Sequence, residues 1–274
     1  MANLYLIPSP IGNLKEVSPR IIETINLCDF IACEDTRNTK KLLMLLGIKK
    51  ECISCHEHNE KETSIKLINL ILSGKNIGYL SDAGNPCISD PGALLTLEAI
   101  KNNITVIPLS GPCAFIDGLI ASGIDTTHFL FYGFLLSKSS LRVHELEALK
   151  YLPYTLVFYE SPHRINETLK DLYKVLGDRK ITIARELTKI HEEFIRTNLK
   201  AISESTHEFI GEMVLIVDKY ENLEDTSIDE EELLKKYNLL IKNGLSSKDA
   251  ATSISILLGI NKNQIKTLTY KNKE

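Results

Sequence analysis

Carboxylates follow two strand-like segments of this sequence, where they are placed for acid–base chemistry. Glu34 and Asp35 come directly after one such segment, and Glu160 comes directly after another. Charged side chains at strand ends are candidates for substrate binding or proton transfer. Glu34 with Arg37, or Glu160 with Arg164, could equally form structural ion pairs. Basic and polar residues near these and neighbouring segments are further candidates for substrate binding. They are Arg37, Lys40, Lys41, His56, His58, Arg164, Arg185 and Lys189.

Three turns rich in Gly, Pro and Asp also follow strand-like segments. They are Pro8–Asn13 (PSPIGN), Ser81–Pro86 (SDAGNP) and Ser110–Ala114 (SGPCA). In an open α/β sheet, ligands lie beyond the carboxyl ends of the strands, and Gly-rich loops let the backbone approach them closely. Three ordinary tight turns are the alternative, but their shared position favours a common binding cleft.

The run Cys52-Ile-Ser-Cys55-His56-Glu57-His58 offers ligand atoms that suit zinc. No second Cys or His pair stands at zinc-finger spacing, so we expect no metal, with His56 and His58 as polar cleft residues. The sequence also lacks a Walker A loop, a G-x-G-x-x-G turn and a G-x-S-x-G elbow. These gaps argue against common nucleotide-binding and hydrolase sites.

The elements that must position these residues alternate between strand and helix. Amphipathic helices are predicted at 65–72 and 166–176, where apolar residues recur at helical spacing. This alternation predicts an α/β fold with parallel or mixed sheets. The predicted strands are Leu4–Ile7, Phe30–Cys33, Ile77–Leu80, Thr105–Leu109, Phe129–Phe134, Thr155–Tyr159, Lys180–Ala184 and Met213–Val217.

We predict an N-terminal α/β lobe over 1–122 and a second α/β lobe over 123–220, with the crossing between them at about 121–135. Residues 221–232 carry seven acids and no base, which is typical of a solvated linker that runs into a helix N-terminus. Three short helices follow, separated by Gly-containing turns, and they predict a helix-turn-helix-like module over 221–274. A small bundle that only packs on the body is the alternative.

The composition limits the class of protein. The 274 residues are 43% apolar, which is too many for a disordered chain, and the net charge is -4. That total hides basic regions, since residues 35–50 sum to +4 and residues 233–274 to +6. We expect no signal peptide or membrane span, and a reduced, cytoplasmic protein.

Several blocks together resemble a known family. They are PSPIGNL at 8–14, ACEDTRNTKKLL at 32–43, SDAGNPCISDPG at 81–92, FYESPHR at 158–164, ARELTKIHEEFIR at 184–196 and GEMVLIV at 211–217. The set resembles the RsmI family of bacterial 16S rRNA 2′-O-ribose methyltransferases, which belongs to the tetrapyrrole-methylase-like class of S-adenosylmethionine enzymes. The resemblance covers essentially the whole chain.

The resemblance implies two α/β lobes with S-adenosylmethionine in the cleft between them, and a homodimer that acts on 16S rRNA in the small ribosomal subunit. It also implies a set of donor contacts. These are Ile11, Gly12, Asp82, Ala83, Gly84, Asn85, Pro112, Cys113, Phe158, Ala184 and Met213.

The implied chemistry needs no metal, because the methyl group of a sulfonium is already activated. The ribose hydroxyl is a poor nucleophile and requires alignment and a proton acceptor. Glu34, Asp35 and Glu160 are the candidate bases, His56 is a weaker one, and Arg37, Arg164, Arg185 and Lys189 are candidates for binding phosphates. The alternatives are a methyltransferase for a small tetrapyrrole and a non-catalytic RNA-binding protein on the same fold.

Overall fold

The computed structural model describes residues 2–205, 208–220, 230–258 and 262–271. The chain divides into two compact units, residues 1–220 and 221–274. Residues 221–229 of the acidic linker predicted over 221–232 lie outside the described residues, and residues 230–232 belong to a helix. Among the residues that are described, no helix is long and apolar enough to cross a lipid bilayer.

The first half of unit 1 forms a parallel five-stranded sheet. Its strands are β1 (Leu4–Ile7), β2 (Phe30–Cys33), β3 (Glu51–Ser54), β4 (Ile77–Leu80) and β5 (Val106–Pro108), in the order β3-β2-β4-β1-β5. The helices that follow are α1 (Pro19–Leu27), α2 (Thr36–Leu45), α3 (Glu60–Leu72), α4 (Ala93–Lys101) and α5 (Ala114–Ile120). The strands β1 and β4 are apolar throughout because helices cover both faces of the sheet.

The second half of unit 1 forms a mixed sheet. Its strands are β6 (Phe129–Phe134), β7 (Thr155–Glu160), β8 (Lys180–Arg185), β9 (Glu193–Asn198) and β10 (Met213–Val217), in the order β6-β7-β10-β8-β9. Only β6 and β7 run parallel. Because β10 is antiparallel to β7, its first residue Met213 pairs with the last residue of β7, Glu160. The helices are α6 (Ser139–Leu149), α7 (Ile165–Leu176) and α8 (Leu199–Ser203).

The eight predicted strands are all confirmed, with small differences at their ends, and so are the α/β class and the helices at 65–72 and 166–176. Two strands escaped prediction, β3 and β9. Both lie at the edge of a sheet, where one side meets solvent and the sequence carries charged residues instead of a continuous apolar run.

A small apolar core joins α5, the helix that follows the first sheet, to the second sheet. Leu119 of α5 packs with Val157 of β7, Ala184 of β8 and Val214 of β10. The Cα of Gly118 lies so close to this sheet that an added Cβ would be 3.2 Å from the Val214 Cβ. This contact places α5 directly against the second sheet.

Unit 2 consists of α9 (Glu230–Lys242), α10 (Ser247–Leu258) and α11 (Lys262–Lys271). The three predicted helices are therefore confirmed over their described parts. Ser246 caps α10, since its Oγ accepts a hydrogen bond from the Asp249 backbone N–H at 3.1 Å. The unit has its own core, formed by Leu233, Tyr237, Ala250, Ala251, Ile254 and Ile265.

Candidate active site

A cavity of about 230 Å³ in unit 1 is bordered by loops that follow strands of the first sheet and by strand ends of the second. The loops come after β1, β4 and β5, as expected for the carboxyl edge of a parallel sheet. The lining residues are Ile11, Ala83, Gly84, Asn85, Ile88, Ser89, Asp90, Cys113, Ala114, Phe134, Tyr159, Glu160, Ser161, Glu186, Leu187, Lys189, Glu212, Met213 and Val214.

Hydrogen bonds join the three Gly- and Pro-rich loops of the first sheet. The backbones of Ser9 and Gly84 exchange N–H···O bonds of 2.9 and 3.0 Å, and the Ser9 Oγ donates to the Ser81 carbonyl at 2.7 Å. Asn85 Nδ2 donates to the Pro112 carbonyl at 2.8 Å. The expectation that these loops lie together is confirmed, and they form one continuous wall of the cavity.

The loop between β8 and β9 forms another part of the cavity wall. Glu186 and Thr188 adopt positive φ angles of 51° and 64°, which turn the loop back toward the first sheet. It approaches the β1 loop so closely that a Cβ on Gly12 would lie 2.5 Å from Lys189 Cγ and 3.2 Å from the Leu187 carbonyl oxygen. Only glycine at position 12 allows this approach.

The charged residues on the cavity wall are mostly acidic. Asp90, Glu160, Glu186 and Glu212 line it, and Lys189 is the basic residue among the described lining residues. Burial, together with the nearby carboxylates, raises the pKa of Asp90 to about 7. This charge balance favours a ligand that carries positive charge.

A family model described as Tetrapyrrole (Corrin/Porphyrin) Methylases matches residues 3–203, from the residue before β1 to the end of α8. The chain belongs to the tetrapyrrole methylase family. Two solved structures show the same fold. CobJ gives a TM-score of 0.61 at 16% identity, and uroporphyrin-III-C-methyltransferase from Thermus thermophilus gives 0.57 at 15%. Each comparison covers 80% of this chain and 95% of the other.

Curated relatives narrow the position of this chain within the tetrapyrrole methylases. A Bacillus subtilis protein is 42% identical over 97% of this chain and 93% of its own length. A Haemophilus influenzae protein is 42% identical over 96% of this chain and 94% of its own length. Both are named ribosomal RNA small subunit methyltransferase I, so this tetrapyrrole methylase is a methyltransferase of that group.

The cavity brings together about half of the residues that sequence analysis assigned to donor binding. The residues of that set on its wall are Ile11, Ala83, Gly84, Asn85, Cys113 and Met213. Gly84 has a φ of +74°, and an added Cβ would lie 3.4 Å from Ile11 Cγ2. A residue with a side chain would therefore be strained there by its backbone conformation, although its Cβ would fit at ordinary contact distance.

Five of the proposed donor contacts lie outside the cavity wall. Gly12 packs on Lys189, and Pro112 faces a shallow groove on the other side of its loop. Asp82 accepts a hydrogen bond from Asn38 Nδ2 at 2.8 Å. Phe158 and Ala184 are fully buried in the second sheet, Phe158 in its large core and Ala184 in the small core that also contains Leu119 of α5.

Glu34 and Asp35, two of the proposed bases, also lie outside the cavity wall. Asp35 caps α2, because its Oδ1 accepts the backbone N–H of Arg37 at 2.8 Å. Its carboxylate also pairs with the Arg37 guanidinium at 2.8 Å, which lowers the pKa of Asp35 to about 2. Burial and the charge of Asp82 raise the pKa of Glu34. The Asp35 carboxylate is thus already bound to the first turn of α2. The structural ion pair of Arg37 is with Asp35, whereas the sequence analysis considered Glu34 as its partner.

Glu160 lines the cavity, but its carboxylate is already saturated with partners. Ser161 N donates to Oε1 at 2.8 Å, Thr168 Oγ1 donates to Oε2 at 2.6 Å, and the Arg164 Nε lies 3.3 Å from Oε1. Arg164 Nη2 also donates to the Leu135 carbonyl at 2.6 Å. These contacts favour a structural role for Glu160 and Arg164 over proton transfer and phosphate binding.

We expect Glu160→Gln to lower the free energy of unfolding by about 1.5 kcal/mol, because the buried carboxylate is the acceptor of charge-assisted hydrogen bonds. Urea unfolding measures the loss, and Glu62→Gln on the exposed face of α3 is the matched control. A stable variant with abolished methyl transfer would instead make Glu160 a catalytic residue.

The remaining basic candidates are dispersed. Lys189 lines the cavity, with its Nζ 2.9 Å from Glu186 Oε1, and Arg185 pairs with Glu193 at 2.6 Å. Lys40 and Lys41 are exposed on α2. The rings of His56 and His58 meet edge to face, with centroids 6.0 Å apart, away from the cavity wall. In the described part of the chain, no group of three or more His, Cys, Asp or Glu residues could hold a metal.

Sequence reasoning missed several residues of the cavity wall. For Asp90, Phe134 and Glu212, the sequence contains features that could have indicated their position. Asp90 belongs to the SDAGNPCISDPG block but lies beyond the turn that drew attention. Phe134 ends β6 and Glu212 precedes β10, so both stand at strand ends on the same edge of the second sheet. Finding Glu212 required knowing that β10 runs antiparallel to β7.

Proposed function

We propose that this chain methylates the ribose 2′-oxygen of a cytidine in the decoding region of 16S rRNA, with S-adenosylmethionine as the donor. The observation that carries the proposal is the identity of about 40%, over nearly the full length, to relatives named ribosomal RNA small subunit methyltransferase I. We further propose that it acts on the small ribosomal subunit, in the cytoplasm and as a homodimer.

The cavity suits this donor in its charge and in the close approach that its backbone allows. When bound, the donor supplies a methyl group already activated on a positively charged sulfur. The four acidic lining residues favour that charge, and the Gly84 backbone leaves room for close approach. In this proposal Ile11, Ala83, Gly84, Asn85, Cys113 and Met213 hold the donor, and loops from both sheets keep water out.

Exposed basic residues beside the site suit the phosphates of the RNA. Arg37 is 89% exposed at the start of α2, and Lys40 and Lys41 follow on the same helix. Attraction of this kind positions a nucleic acid without reading its sequence, and it weakens as salt rises. We propose that α2 contributes to docking of the rRNA.

The test is methyl transfer from labelled S-adenosylmethionine to small ribosomal subunits that lack ribose methylation, with the product mapped for 2′-O-methyl groups. We expect label at one cytidine of the decoding region, and none on small subunits that already carry the methyl group. Label on a tetrapyrrole alone would support the small-molecule alternative. Calorimetry that shows RNA binding but no donor binding would support a non-catalytic protein.

A further inference from the structure

Asp90 holds a distinctive position on the cavity wall. It lies in the segment between β4 and α4, and the second sheet contributes Phe134, Glu212 and Met213 to the same cavity. The residue is partly buried. Within the described ranges, its carboxylate has no hydrogen bond from the protein, so both oxygens are available to a ligand.

The backbone around Asp90 is held in a strained form. Cys87 and Ser89 have positive φ angles of 68° and 60°, a conformation that non-glycine residues rarely adopt because it is strained. A Cβ on Gly133 of β6 would lie 3.3 Å from Ser89 Oγ, so this segment presses against the second sheet. Strain of this kind persists where the surroundings fix the chain, and it is concentrated at functional sites.

A buried carboxylate anchors the far end of the segment. Glu60 Oε1 accepts the backbone N–H groups of Gly92, Leu94 and Leu95 at 2.9, 3.0 and 3.5 Å. These N–H groups belong to the start of α4, where a negative charge also meets the helix dipole. Glu60 thus fixes the chain two residues beyond Asp90 and limits where the Asp90 carboxylate can move.

The other carboxylates near the cavity are less suited to accept a proton. Asp35 is paired with Arg37, Glu160 is saturated, and Glu186 is held by Lys189. Glu212 lines the cavity but is exposed to solvent. Asp90 combines a position on the wall, partial burial and free acceptor atoms.

We propose that Asp90 is the general base that takes the proton from the ribose 2′-hydroxyl during methyl transfer. This inference rests on the proposed function. As the 2′-oxygen forms its bond to the methyl carbon, the carbon–sulfur bond breaks and its electron pair stays on sulfur, which becomes neutral. The hydroxyl proton passes to Asp90, and from there to solvent after the product leaves.

The surroundings of Asp90 adjust its basicity. Burial and the charges of Glu34, Asp82 and Glu212 raise its pKa to about 7, and Glu160, Glu186 and Lys189 are the other charged groups on the same cavity wall. A base with a pKa near the working pH is both ionised and a good proton acceptor. Asp90 must be ionised to act, so the rate should rise with pH through about 7 and level off above it.

The test compares the full-length wild-type protein with Asp90→Asn on undermethylated small subunits, under single-turnover conditions with saturating donor. We expect the rate to fall by about 10²–10⁴-fold, the usual contribution of a general base, while calorimetry shows donor affinity within about threefold of wild type. Preserved donor binding also shows that the variant is folded. Asp29→Asn is the control. Asp29 lies just before β2, at the amino end of that strand, whereas the cavity lies at the carboxyl edge of the sheet. The variant removes a surface carboxylate in the same lobe and should retain the wild-type rate.

Glu34→Gln gives an independent pH readout. Removing this like charge should lower the pKa of Asp90 and move the midpoint of the pH–rate profile to lower pH, whereas Asp90→Asn should lose the rise altogether. A wild-type rate for Asp90→Asn, an unchanged pH profile in that variant, or equal losses of rate and donor affinity would each overturn the inference. An inactive wild-type protein would overturn the proposed function, and this inference with it.

Discussion

Gly111→Ala is expected to destabilise unit 1 by about 3 kcal/mol and to weaken donor binding by about tenfold or more. A Cβ at position 111 would lie 2.2 Å from Pro8 Cγ and 2.6 Å from Pro8 Cβ. The pyrrolidine ring cannot rotate away as a flexible side chain could, so the backbone of one loop must move. Overpacking of this kind costs about 1–3 kcal/mol, and the rigid Pro8 ring places this site at the upper end of that range.

The effect on donor binding follows from what the two loops hold. Asn85 Nδ2 donates to the carbonyls of Gly111 and Pro112 at 3.4 and 2.8 Å, and both Asn85 and Cys113 line the cavity. A shift of Gly111 therefore moves the wall on which the donor is proposed to lie. A tenfold loss of affinity corresponds to about 1.4 kcal/mol.

Urea unfolding and calorimetry with S-adenosylmethionine measure the two effects separately. Gly74→Ala is the matched control, because an added Cβ there meets no atom within 4 Å although φ is +96°. The control should lose only about 1 kcal/mol of stability, because alanine is strained at this positive φ. It should bind the donor normally. If Gly111→Ala binds the donor as the wild type does, the loop contact does not shape the site.

The carboxyl-edge rule for parallel sheets was enough to predict that the loops beginning at Pro8, Ser81 and Ser110 meet, because each strand before them is a short apolar run. The rule does not say which of two adjacent residues faces the cavity. Phe158 and Tyr159 alternate across β7, and a shift of one position exchanges the buried face for the ligand face.

The candidate bases show why side-chain partners limit prediction from sequence. Glu34, Asp35 and Glu160 have the same chemistry at equivalent strand ends. Which carboxylate is free to accept a proton depends on its hydrogen-bond partners. Helix geometry brings Arg37 within reach of Asp35, and Thr168 within reach of Glu160. Asp90 was missed because its exposure to the cavity depends on packing between the two sheets.

Arg142→Met should lower the free energy of unfolding by about 3–5 kcal/mol, the largest stability loss that we expect in unit 1. Arg142 is fully buried, and its Nε and Nη2 lie 2.8 and 2.7 Å from Asp171 Oδ2. Its Nη1 donates to the carbonyls of Leu136 and Ser137 at 3.4 and 3.0 Å. Removing the guanidinium leaves a carboxylate and two carbonyls without their partner, which is far more costly than losing an exposed ion pair.

The double variant Arg142→Met/Asp171→Leu separates the value of the pair from the cost of an unpaired charge. We expect it to recover most of the stability, because apolar side chains of similar volume can replace a buried ion pair at little net cost. Lys66→Met, which breaks the exposed pair with Glu62, is the control and should change stability by less than about 0.5 kcal/mol. Urea midpoints at constant m-value provide the comparison.

This ion pair also bears on the active site. Arg142 and Arg164 together bind the carbonyls of Leu135, Leu136 and Ser137, directly after Phe134 on the cavity wall. If the pair positions this segment, the double variant should be stable yet slow in methyl transfer, because Leu136 and Ser137 have lost their donor. A double variant with the wild-type rate would show that the segment is held without the pair, by Arg164 on the Leu135 carbonyl and by Glu145, whose Oε2 accepts the Leu136 backbone N–H at 2.8 Å.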